Sequence, residues 1–159
     1  MHVTFAPNGI LQIDGARIVF RNFAGAQSKF NAKGDRNFAV VIPNQEIADA
    51  LTDAGWTVKV KPPREEGDEP FMFMKVKLQF NDRGPIAYLK TGNNLVRLDE
   101  ESIECLDNVE IACVDMDLRP YNWEVNGKTG RTAWLHSIRV TQAIQDRFAE
   151  EEYPGERPW

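Results

Sequence analysis

Phe20–Pro43 reads FRNFAGAQSKFNAKGDRNFAVVIP, two strand-like runs around a polar loop. The first run ends at Arg21-Asn22-Phe23 and the second begins at Arg36-Asn37-Phe38. Between them Gly25 and Gly34 let the backbone turn at low steric cost. Arg21, Lys29, Lys33 and Arg36 stand against a single acid, Asp35, and Phe23, Phe30 and Phe38 are interleaved with them. Cations that track phosphates, beside rings that stack on bases, suit a flexible polyanion with exposed flat bases. The plainer reading is a solvated hairpin whose phenylalanines are core, the ordinary place for phenylalanine.

Working outward, period-2 patterning dominates. Leu11, Ile13, Ile18 and Phe20 alternate across Asp14-Gly15, as in a bent strand or a hairpin. Arg36–Ile42 is a strand that Pro43 stops. Asn44 then reads as a helix N-cap; Ile47, Ala50, Leu51 and Ala54 fall at helical spacing, and Gly55 closes the helix. Trp56–Lys61 alternates again, and Pro62–Pro70 is a polar loop. Phe71–Phe80 is the cleanest strand: Met72, Met74, Val76, Leu78 and Phe80 share one face, and Phe71, Phe73, Lys75, Lys77 and Gln79 the other.

Asn81–Gly84 is a turn, Ile86–Lys90 a short return strand, and Thr91–Asp107 a loop-like acidic stretch. Val109, Ile111 and Cys113 share one parity while Val114, Met116 and Leu118 share the other. A phase change inside one strand predicts a bulge or bend, as a small closed barrel requires. Arg119–Val125 and Arg131–Thr141 flank the Asn126-Gly127 turn, and Gln142–Glu152 reads as a short helix. This pattern predicts a mainly β chain: an oligonucleotide-binding (OB) fold-like five-stranded barrel with extra hairpins and one connecting helix. Residues 1–145 are expected to be one domain, and residues 146–159 a disordered acidic tail.

At 42% hydrophobic and 27% charged residues, the composition is that of an ordinary globular protein. No apolar run is long enough for a membrane span, and MHVTFAPNGI does not read as a secretory signal. Cys105 and Cys113 read as small buried hydrophobes in a reducing compartment, and with His2 and His136 they show no metal-ligand spacing. No metal or cofactor is expected. The net charge of −5 opposes nucleic-acid binding only at first sight, because the charge is segregated. Residues 1–63 carry seven cations and five acids, whereas residues 99–117 carry eight acids and no cation.

Gly127-Lys128-Thr129 resembles the end of a phosphate-binding loop, but position 122 is Asn where that motif needs glycine. Asp115 and Asp117 share a strand face and suggest a Mg²⁺-dependent nuclease, against the plainer reading of a solvated face. The Arg119–Arg139 hairpin holds a second mixed cluster, with Tyr121, Trp123 and Trp134 among Arg119, Lys128, Arg131 and Arg139. The acidic tail ends in Pro158-Trp159, a solubilising extension or a docking peptide for a partner's pocket.

Phe23-Ala24-Gly25, Asn31 to Phe38 (NAKGDRNF) and Tyr121 to Lys128 (YNWEVNGK) together resemble the single-stranded DNA-binding proteins of tailed phages of Gram-positive hosts. The resemblance covers residues 18 to 142 loosely. It implies an OB barrel that coats single strands in replication and recombination, in the host cytoplasm. The tail is similar to the acidic tip of bacterial single-stranded DNA-binding proteins, which recruits replication and repair enzymes; Arg157 interrupts the likeness. The expectation is a non-enzymatic protein that binds single-stranded DNA with little sequence preference. Its phosphate contacts would be Arg21, Lys29, Lys33, Arg36, Lys59, Lys75, Lys77, Lys128 and Arg131. Its stacking rings would come from Phe30, Phe71, Phe73, Tyr121, Trp123 and Trp134. A structural virion component, of tail or capsid decoration, is the rival reading, and the nuclease is third.

Overall fold

The computed structural model describes residues 1–144 except Arg83. In chain order its elements are β1 (His2–Phe5), β2 (Leu11–Ala16), β3 (Ile18–Asn22), β4 (Arg36–Ile42), α1 (Gln45–Asp53), β5 (Lys59–Lys61), β6 (Phe71–Leu78), β7 (Ile86–Thr91), β8 (Asn94–Leu98), a 3-10 helix (Ile103–Asp107), β9 (Ile111–Val125) and β10 (Lys128–Gln142).

Only Arg17 separates β2 from β3, and its carbonyl accepts from the Val41 amide of β4 at 2.9 Å. The two are halves of one bent strand. β2 pairs with β9 and β3 with β4, and the sheet runs onward from β4 through β6 and β10 to β9. The bent strand therefore joins the two ends of the path, and the five strands close a barrel. β6 and β10 are parallel, with Trp134 opposite Lys77, while the other barrel pairs are antiparallel. That is the OB architecture. β1 extends the sheet beyond β2, and the β7–β8 hairpin lies along β10.

Leu11, Ile13, Phe38, Val40, Met74, Val76, Leu118 and Leu135 are among the buried side chains of the core. Asn44 caps α1 by accepting from the Ile47 amide at 2.9 Å, and the helix buries Ala48 and Leu51 against that core. Gly55 follows the helix at φ +95°, a conformation that disfavours other residues.

The bend has a specific anchor. β2 bulges between Ile13, opposite Met116, and Ala16, opposite Val114. Gly15 lies in that bulge at φ +66° and donates its amide to Asp115 Oδ1 at 2.9 Å. Asp115 Oδ2 accepts from Arg139 Nη2 of β10 at 2.7 Å. Partial burial raises the Asp115 pKa, but these bonds outweigh it and hold the carboxyl below its ordinary 3.8. A depressed folded-state pKa stabilises above the unfolded value, and the contribution disappears as pH falls through the folded value. Because Arg139 is half exposed, the charge contributes only about 1 kcal/mol. In chemical denaturation, Asp115→Asn should be less stable than the native chain by that amount near neutral pH. The gap should close as pH drops below 3.8.

Several elements differ from the sequence reading. The phase change in β9 is a register shift, with Thr141 opposite Cys113 and Gln142 opposite Ile111, leaving Ala112 as the extra residue. Arg119–Val125 is the continuation of β9 and not a separate strand. Within Thr91–Asp107, read as loop, lie β8 and the 3-10 helix. The strand read from Trp56 is ordered as β5 only from Lys59, because Trp56 turns in to join the core. Cys105 and Cys113 are partly exposed, not buried. Of the helix read over 142–152, Gln142 instead ends β10 and Ala143 and Ile144 are not helical; the rest of it, and the tail, lie outside the described residues.

Candidate nucleic-acid interface

β6 builds the centre of the site. Its alternation sends Met72, Met74, Val76 and Leu78 into the barrel, leaving Phe71, Phe73, Lys75 and Lys77 on the other face. The Phe71 and Phe73 rings stack with centroids 5.6 Å apart. β5 lies along the same stretch, with Lys59 opposite Phe73 and Lys61 opposite Phe71. Lys75 and Lys59 are exposed, and Lys77 makes a long ion pair to Asp35 at 3.8 Å.

A third ring joins this pair. Phe20 meets Phe73 and Phe71 edge-on at 5.7 and 6.1 Å, is 58% exposed, and lies 5.9 Å from the Lys61 ammonium. Period-2 reading put Phe20 on the inner face with Ile18. Its φ of 52° breaks the alternation at a register shift between Val19 and Asn22 and turns the ring outward. Three rings and two lysines thus form one exposed patch. An unpaired apolar cluster of this kind marks a binding surface.

The surface continues across the β6–β10 junction. Trp134 is opposite Lys77 on β10, and Arg119 is opposite Trp134 on β9. Farther along the hairpin, Tyr121 faces Thr132 and Trp123 faces Gly130. A Cβ on Gly130 would collide with the Trp123 ring, so glycine lets the indole lie flat on the strand. Tyr121 and Trp123 are exposed, Trp134 is half-buried, and Lys128 sits exposed beside the turn. Gln79, Asn81, Arg119, Tyr121 and Trp134 line an open groove of about 510 Å³.

The loop between β3 and β4 separates its aromatics. Phe23 and Phe38 are fully buried and stack on each other at 5.0 Å, so they are core. Phe30 is 91% exposed with the Lys29 ammonium 5.7 Å from its ring, and Lys33 is exposed nearby. Asparagines hold the loop. The Asn31 amide donates to the carbonyls of Ala26, Ala32 and Asp35, and Asn37 donates to Asn31 Oδ1 at 2.8 Å. The Asp107 carboxylate accepts the amides of Phe23 and Ala24, pinning the start of the loop. Gly25 (φ +68°) leaves no room for a Cβ against the Gly34 backbone.

Three of the expected phosphate contacts already have structural work. Arg21 Nη1 donates to the carbonyls of Leu106 and Val109 at 2.8 and 2.7 Å. Arg36 Nη1 donates to the Phe23 carbonyl, and its guanidinium lies over Phe80. Arg131 stacks on Trp56, bonds Asn122 and donates to the Ala54 carbonyl at the end of α1. A planar fork that reaches several fixed acceptors favours arginine for such brackets. The lysines, by contrast, carry their charge outward, leaving Lys29, Lys33, Lys59, Lys75, Lys77 and Lys128 of the expected contacts, joined by Lys61, as cations of the surface. Pro158 and Trp159 lie outside the described residues.

The nuclease reading fails on geometry. Asp115 is committed to Gly15 and Arg139, and Asp117 Oδ2 accepts from Ser137 Oγ at 3.2 Å. Among the described residues no helix is long and apolar enough to cross a membrane.

An OB barrel carrying exposed rings and lysines on one face defines the class as a nucleic-acid-binding barrel. Residues 2–155 match the family described as putative phage ssDNA-binding domain, and the chain belongs to that family, whose members bind and do not catalyse. No curated protein matches the sequence. Among solved structures, it is similar to the single-stranded DNA-binding protein from bacteriophage Enc34 in complex with ssDNA. The TM-score there is 0.59 at 11% identity, over 91% of this chain and 93% of that one. The C-terminally truncated form of the same Enc34 protein gives a TM-score of 0.54 at 12% identity, over 90% and 91%. At such identities the likeness is one of fold.

Proposed function

We propose that the chain coats single-stranded DNA with little sequence preference during phage replication and recombination, in the host cytoplasm. The carrying observation is the outer face of β6, where Phe71 and Phe73 stack in line with Lys75 and Lys77. Bases would stack on Phe20, Phe71, Phe73, Trp134, Tyr121 and Trp123 in turn. Phosphates would run along Lys59, Lys75, Lys77 and Lys128, with Lys29, Phe30 and Lys33 of the loop closing over the strand. Arg21, Arg36 and Arg131 hold the framework through their bonds to backbone carbonyls. Residues 1–145 form the binding domain, and residues 146–159 serve as an acidic tail whose Pro158-Trp159 end docks on a replication or recombination partner.

Mobility shift with single- and double-stranded oligonucleotides of one sequence, with and without Mg²⁺, tests the reading. Retardation of the single strand, independent of Mg²⁺ and without cleavage, is expected. Cleavage, or no retardation of single strands at low salt, would refute it.

A further inference from the structure

β6 is covered on one edge by β5 at Phe71–Phe73 and by β10 at Val76–Lys77, so the edge is open between them. A cavity of about 180 Å³ occupies this gap. Trp56, Met74 and Trp123 line it with apolar surface. Arg131, stacked on Trp56 and tied to Asn122 and Ala54, also lines the cavity and is fixed in place. Lys59, Lys75 and Lys77 complete the lining. We infer that this gap is a base pocket, which takes one pyrimidine out of the bound strand, thymine in preference to cytosine. The inference rests on the single-strand reading above and adds a base preference to it.

Size sets the first part of the preference. An apolar cavity of about 150 Å³ holds a single benzene-sized ring. The gap is of that order, so it admits one six-membered ring with its substituents and is short for a fused purine. Hydrogen-bonding chemistry sets the second. Ammonium and guanidinium groups only donate. The Thr57 hydroxyl, also in the lining, spends its one hydrogen on the Arg131 carbonyl at 3.2 Å, so the donors left for a base are the cations. A base that presents carbonyl oxygens on both sides of its ring meets these donors, whereas the amino group of cytosine would set donor against donor. The cations beside the ring also neutralise the phosphates on either side of it, which commits this apolar cavity to a nucleotide rather than to a neutral ligand.

The test uses fluorescence anisotropy with equal-length oligomers of dT, dC and dA, on the full chain and on two variants that fill the gap from two of its lining residues, Thr132→Phe and Thr57→Trp. The full chain should bind dT most tightly, then dC, with dA weaker than dT by about tenfold, the discrimination one shaped pocket supplies. The step from dT to dC separates this account from the self-stacking of dA strands, since both pyrimidines stack weakly. In a folded variant the affinity for dT should fall to that for dA, and the three oligomers should become equivalent. Equal binding of dT and dC by the full chain, or a preference that survives filling in whichever variant melts like the parent, would overturn the pocket while leaving single-strand binding intact. Loss of all binding by the full chain would overturn both.

Discussion

Phe23→Ala is expected to lower the unfolding free energy by about 3–5 kcal/mol, the cost of emptying a buried aromatic site. Phe30→Ala, seven residues on in the same loop, should leave stability within about 0.5 kcal/mol, as for an exposed side chain without a packing role. The contrast follows from burial. Phe23 is enclosed against Phe38, while Phe30 stands in solvent beside Lys29. If Phe30 stacks on a base, its loss should instead weaken DNA affinity by about 1–3 kcal/mol. Urea denaturation and oligonucleotide titration of the two variants read the two effects separately. Equal stability losses would show that the loop is one packed unit, and a silent Phe23→Ala would contradict the core assignment.

The same logic divides adjacent residues on β6. Met74 is buried beneath the sheet, and Met74→Ala should cost about 2–5 kcal/mol of stability. Phe73 is half-buried on the opposite face between Phe20 and Phe71. Phe73→Ala should cost about 1–3 kcal/mol of affinity for single strands, with a smaller loss of stability from the broken ring contacts. A Phe73→Ala protein that unfolds while Met74→Ala stays folded and loses only DNA binding would mean that the faces are reversed.

Much of this was legible because β6 obeys a strict period of two. Met72 to Leu78 declare the interior and Phe71 to Lys77 the exterior with no structural knowledge. The helix cap at Asn44 and the hairpin at Asn126-Gly127 were equally local signals, and both are found where the sequence puts them. Signals that depend on distant partners were not legible. Phe20 faces outward because of one left-handed residue at a bulge, and periodicity assigns such a residue to the wrong face. Lys61 joins the surface only because β5 folds back along β6, and Trp56 is covered only because it turns into the core and Arg131 reaches across from β10 to stack on it. The arginines misled for a related reason. Charge alone cannot distinguish a guanidinium that brackets carbonyls from one that waits for phosphate, and here the brackets at Arg21, Arg36 and Arg131 span up to 88 residues of sequence.

The central claim is that the lysines around β6 carry the phosphates of a single strand, and salt dependence measures it directly. Binding of a short oligonucleotide should weaken linearly in a plot of log affinity against log salt, by about 0.7 per phosphate neutralised. Replacing Lys59, Lys75 and Lys77 together with alanine should flatten that slope by about 2, the share of three contacts. A slope unchanged by the triple replacement in a folded protein would place the DNA on another surface.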